Sequence, residues 1–283
     1  DISVEAGSGS VTGGSLSLLA GDATGELGGS IQIESGVSEE TSGNIVMRTA
    51  NGGATANGAS GDIELITGQS LDGDTGSISV STSNAAGGSA GQVSVTVGAS
   101  DTNAGADMIL SSGSSSASGG AEGGDILMNA GSGTTSGGDI SVEAGSGSVT
   151  GGSLSLLAGD ATGELGGSIQ IESGVSEETS GNIVMRTANG GATANGASGD
   201  IELITGQSLD GDTGSISVST SNAAGGSAGQ VSVTVGASDT NAGADMILSS
   251  GSSSASGGAE GGDILMNAGS GTTSGGDISV EAG

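Results

Sequence analysis

The chain is 283 residues long, 63 of them Gly, and carries 32 acidic against 2 basic residues for a net charge of −30. It contains no Cys, Pro, His, Trp, Tyr or Phe. That composition excludes thiolate and imidazole chemistry, disulfides, aromatic stacking and a basic cleft for nucleic acid, and leaves carboxylates and hydroxyls as the remaining reactive groups.

Residues 1–138 recur unchanged as 139–276, and 277–283 begin a third copy. Inside the unit a shorter pattern repeats: a polar residue, then apolar, variable, apolar, variable and small, usually followed by Gly. In chain order the segments start at Asp1, Ser15, Ser30, Asn44, Asp62, Ser77, Gln92, Asp107 and Asp125. Their spacings of 14, 15, 14, 18, 15, 15, 15, 18 and 14 add to 138, so the short period closes on the long one.

The second position holds Ile2, Leu16, Ile31, Ile45, Ile63, Ile78, Val93, Met108 and Ile126, and the fourth Val4, Leu18, Ile33, Met47, Leu65, Val80, Val95, Leu110 and Met128. The sixth is smaller: Ala6, Ala20, Ser35, Thr49, Thr67, Thr82, Val97, Ser112 and Ala130. Apolar residues at spacing two predict a strand with one face covered, because a helix would place them three and four apart. Short strands at this regular spacing, separated by Gly, Ser, Asn and Asp, predict an all-β chain coiled as a parallel β-solenoid (β-helix). Its rungs have 14–18 residues, nine to each 138-residue repeat. The expected organisation is one continuous rod: repeat 1 over 1–138, repeat 2 over 139–276, and the start of a third over 277–283. The two apolar columns would form a narrow core without aromatics. Gly precedes every start after the first except Asp107, which follows Ala106, as tight corners require. The two 18-residue segments are expected to bulge at Asn51–Ser60 and Ser114–Gly123.

Several side chains stand out along this frame. Asp107, Asp125 and Asp139 open three successive segments, so rungs stacked about 4.8 Å apart would superpose three carboxylates. Either a hard cation such as Ca²⁺ bridges them, or corner amides and salt carry their charge. The Asp72-Gly73-Asp74-Thr75-Gly76 turn is similar to a Ca²⁺ loop, but it lacks the terminal Glu of an EF-hand. No cofactor is required; Ca²⁺ is the one cation these two places suggest. Glu34 and Arg48 share the fifth position of neighbouring segments and are expected to form a cross-rung ion pair. Ile109 and Leu127 occupy the outward third position of consecutive segments and suggest either a lateral contact between rods or a strip covered by a loop. Thr49, Thr67 and Thr82 make a hydroxyl column that is interrupted at Val97.

No apolar run approaches the ~18 residues that a membrane span needs. The start at Asp1 without Met and the stop in mid-pattern suggest a fragment of a longer chain. No pair of carboxylates is placed for catalysis, so an enzyme is not expected.

The rung pattern, as in Gly28-Gly29-Ser30-Ile31-Gln32-Ile33-Glu34-Ser35-Gly36 or Gly123-Gly124-Asp125-Ile126-Leu127-Met128-Asn129-Ala130-Gly131, resembles the Gly/Ser-rich tandem-repeat β-solenoids of extracellular fibres and adhesins, of algal and diatom or bacterial surface type. The resemblance implies a structural role at the cell surface or outside the cell. The partners it implies are the chain itself, end to end or side by side, and cell-surface or matrix polysaccharide. The alternative is a Ca²⁺-dependent surface adhesin or ice-binding module that presents one face or the bulged loops.

Overall fold

In the computed structural model the described residues are 2–53, 58–117, 120–191 and 196–282. The chain divides into two compact units, Asp1–Ser141 and Val142–Gly283, a boundary close to the end of the first sequence repeat. The two units share the same local geometry.

The expected all-β parallel solenoid is not formed: among the described residues there is neither a helix nor a strand. A parallel sheet needs evenly spaced hydrogen bonds along the whole length of each strand. In the first unit the backbone is bonded to itself at single points, namely Gly14 N–H to Gly7 C=O at 2.8 Å, Gly29 to Gly21 at 2.8 Å, Gly43 to Gly36 at 3.0 Å, Gly124 to Gly113 at 2.8 Å and Gly138 to Gly131 at 2.9 Å. Each bond joins the residue before a segment start to the residue just after the preceding sixth position. The six residues between such points form an arm; the remainder of the segment is a loop whose two ends meet.

Period-two alternation does hold within the arms. Ser3 Oγ donates to Glu5 Oε1 at 3.2 Å, Gln32 Nε2 to Glu34 Oε2 at 2.9 Å, and Ser94 Oγ lies 3.5 Å from Thr96 Oγ1. All three join a third to a fifth position, so i and i+2 share a side, as extended backbone dictates. The opposite side carries positions two and four.

The expected core is absent. Among the described residues none is buried. Apart from Ile2, the positions two and four, from Val4 to Met128, are 49–75% exposed. The solvent-accessible surface is 27815 Å², against roughly 10,000 Å² for a compact monomer of this mass and about 37,000 Å² for its extended chain. What partial cover exists comes from neighbouring segments on both sides: Val280, in the last segment, is 84% exposed against 58% for its repeat Val142. Ile2, with no segment before it, is 96% exposed, whereas its repeat Ile140 in the same unit is 55% exposed.

The half-buried residues of the first unit are Ala20, Ser35, Thr49, Thr67 and Ser70. Four of them are sixth positions, which face the Gly that closes the loop. A Cβ built on Gly29 would lie 3.2 Å from Ala20 Cβ, and one on Gly43 would lie 3.5 Å from Ser35 Cβ. The small sixth residue and the Gly column are therefore two halves of one crossing. Their shared exception falls in a single segment, where Val97 precedes a loop ending in Ala106. Val97 is 40% exposed, the least of the unit's large apolar side chains.

Candidate functional site

Five of the nine segments of the first unit close by a backbone crossing at a glycine pair, and in all five the sixth side chain is small and unbranched at Cβ. The five closing bonds follow Ala6, Ala20, Ser35, Ser112 and Ala130. Among the described residues no such bond follows Thr49, Thr67, Thr82 or Val97, although Gly68 and Gly76 offer the same glycine pair after Thr67. The second unit repeats the rule, with bonds after Ala144, Ala158, Ser173, Ser250 and Ala268. A steric difference accompanies this rule, alongside the replacement of the acceptor glycine by Ala50 after Thr49 and by Ser83 after Thr82. At Gly61, Gly76 and Gly91 the atoms near a built Cβ are the Cγ2 of Thr49, Thr67 and Thr82, at 3.7–3.8 Å, whereas at Gly14, Gly29, Gly43 and Gly138 the backbone of Gly7, Gly21, Gly36 and Gly131 also lies within 4 Å. A β-branched sixth residue thus sets a methyl group against the returning chain. Sequence reading takes these threonines as a hydroxyl column; it is their methyl groups that meet the returning glycines.

The loops are shaped by individual glycines and short polar side chains. A Cβ on Gly9 would collide with the Thr12 carbonyl oxygen, and one on Gly133 with that of Ser136. Both loops therefore turn too tightly for any other residue. Ser38 Oγ accepts from Glu40 N–H at 3.2 Å, and Ser115 Oγ from Ala117 N–H at 3.3 Å, the local side-chain bonds that make Ser a turn residue.

The Asp72-Gly73-Asp74 turn bends at 71–73, with Gly73 at φ +150° above Ser70, whose Oγ would lie 3.6 Å from a Cβ there. Only Gly takes that backbone region freely. Asp107, Asp125 and Asp139 lie on three separate arms, and among the described residues no three acidic side chains converge as a metal ion would require. Glu34 finds its hydrogen-bond partner in Gln32 of its own arm. Arg48 instead lines an open recess with Thr49, Ala50 and Asn51, repeated at Arg186, Thr187, Ala188 and Asn189. This recess, at the entrance to the first bulged loop, has no forerunner in the sequence reading.

Of the Asn51–Ser60 bulge, residues 54–57 lie outside the described residues, as do 118–119 of Ser114–Gly123. The neck of the first is closed by glycine on glycine: a Cβ on Gly52 would strike the Gly58 carbonyl, and one on Gly58 that of Gly53. In the second, Gly120 has φ +83°. Ile109 and Leu127 are 81% and 76% exposed, on the side of their arms away from positions two and four.

Among the described residues no helix is long and apolar enough to cross a membrane. Comparison of the chain with protein-family models, with curated proteins and with solved structures finds no match.

Proposed function

We propose that the chain is a structural segment of an acidic extracellular fibre or stalk, non-catalytic, whose tandem units supply length. The observation that carries this reading is the recurrence of 1–138 as 139–276 without a single change, loops included. A catalytic or ligand site needs one defined constellation, and its supporting residues differ from place to place. A material needs the same unit many times, and uniformity is then the functional property. Two further observations agree with it. The carboxylates are dispersed over arms and loops, and a net charge of −30 keeps such a chain hydrated.

The reading is tested with chains of two, three and four units, imaged by electron microscopy and measured by small-angle scattering. The largest dimension is expected to grow by a constant increment per added unit. Growth that levels off, as in a chain collapsing into one globule, would overturn the reading.

A further inference from the structure

We propose that positions two and four of the arms are the contact surface for a second copy of this chain, arm against arm. The inference rests on the structural role above and names the partner. Three observations carry it.

First, this side of the arm is apolar and left uncovered. Fully burying one aliphatic side chain removes roughly 60–120 Å² from water. Eighteen such residues per unit, at the exposures above, thus leave on the order of 600–1,300 Å² available. A stable interface takes about 800 Å² from each partner. About one to two units supply that area.

Second, it is the side that is free of charge on every arm. Positions two, four and six carry no charged residue in any of the nine segments, whereas the third and fifth positions hold Glu5, Glu34, Glu64 and Arg48. Chains with a net charge of −30 each repel across any surface that bears carboxylates. An apolar, charge-free side is self-complementary, and a second copy repeats it at identical spacings, so pairing one arm brings its neighbours into register.

Third, the arm backbone is unpaired. Among the described residues every backbone–backbone hydrogen bond lies at a glycine crossing, so the arms keep free donors and acceptors in an extended conformation. Such a segment is completed by another extended segment.

The test uses the whole chain at high NaCl, where repulsion is screened, with sedimentation velocity over a range of concentrations. All six methionines lie at positions two or four, Met47, Met108 and Met128 in the first unit. Hydrogen peroxide, which transfers oxygen to the thioether sulfur and leaves water, therefore footprints this surface directly. Association is expected to rise with concentration, and methionine oxidation to slow at least fivefold in parallel. Ile63→Glu with Ile201→Glu is expected to raise the concentration needed for association at least tenfold. Ile66→Glu with Ile204→Glu, the same change on the opposite side of the same arm, is expected to shift it less than threefold. A chain that stays monomeric, methionines oxidised at the monomer rate in an associated chain, methionines protected in a monomer, or equal effects of the two variants would each overturn the proposal. A chain that lengthens with unit number yet stays monomeric would keep the structural role and remove this surface.

Discussion

The loops that close on themselves all follow a sixth residue unbranched at Cβ. Where the sixth residue is Ala or Ser, the returning Gly reaches the carbonyl seven to eleven residues back; where it is Thr or Val, no bond forms among the described residues. Branching at Cβ fixes χ1 and places a methyl against the incoming backbone. Ala20→Thr, made with Ala158→Thr, is therefore expected to open the bonds that Gly29 and Gly167 donate to Gly21 and Gly159. Thr67→Ala with Thr205→Ala is expected to create one from Gly76 to Gly68 and from Gly214 to Gly206. A solvent-accessible backbone bond is worth about 0.5–1.5 kcal/mol net, so amide exchange at Gly29 should accelerate roughly two- to tenfold and at Gly76 slow by a similar factor. Nuclear magnetic resonance exchange rates at these glycines check both. Unchanged rates in either variant would mean that loop composition, not the sixth side chain, controls closure.

At the scale of the arm and its loop, glycines are unequal. Gly9, just before the bend at 10–11, sits where a Cβ would collide with the Thr12 carbonyl, while Gly87, within the bend at 86–88, has nothing within 4 Å. Gly9→Ala with Gly147→Ala is expected to force its loop open and abolish exchange protection at Gly14. Gly87→Ala with Gly225→Ala should leave its loop intact and favour the ordered form by ~0.4–1 kcal/mol through the loss of unfolded-chain freedom. Equal chemical-shift changes around the two sites would contradict this ranking. Much of the element was legible in the sequence for the same local reasons. The alternation of positions two to five is intrinsic to extended backbone, and the hydrogen bonds from Ser3 to Glu5 and from Gln32 to Glu34 display it. The small sixth position and the following Gly column mark the crossing, down to the paired exception at Val97 and Ala106. What the pattern does not contain is the partner of the arm. An apolar pair at Ile63 and Leu65 reads the same whether it packs on the next rung, on a second chain or on nothing, since pairing between parallel strands is non-local. The Asp107, Asp125 and Asp139 ladder is an inference from stacking, and without a ladder of backbone bonds it loses its premise. The Arg48 recess lies beyond sequence reading because it arises from how Arg48, Thr49, Ala50 and Asn51 are placed in space.

For the whole molecule the governing quantities are charge and exposure. With no residue buried among those described and 32 carboxylates against 2 guanidinium groups, little attraction within one chain opposes mutual repulsion. Screening sets the balance: the Debye length falls from about 30 Å at 0.01 M salt to about 3 Å at 1 M. At concentrations low enough to keep chains apart, the radius of gyration is expected to shrink steadily as NaCl is raised across that range. Divalent cations discriminate between general screening and a defined site. Screening depends on valence, so CaCl₂ and MgCl₂ at equal concentration should contract the chain alike, and a chelator should restore its dimensions after either one. A built Ca²⁺ site would behave otherwise, because Ca²⁺ accepts six to eight oxygens in flexible geometry while Mg²⁺ holds its waters. Small-angle scattering during titration with each salt separates the two. Equal curves follow from carboxylates that stand apart on their arms and loops. A contraction confined to Ca²⁺, saturating at a fixed ratio of ion to 138-residue unit, would instead show that the ion draws Asp107, Asp125 and Asp139, or Asp72 and Asp74, together.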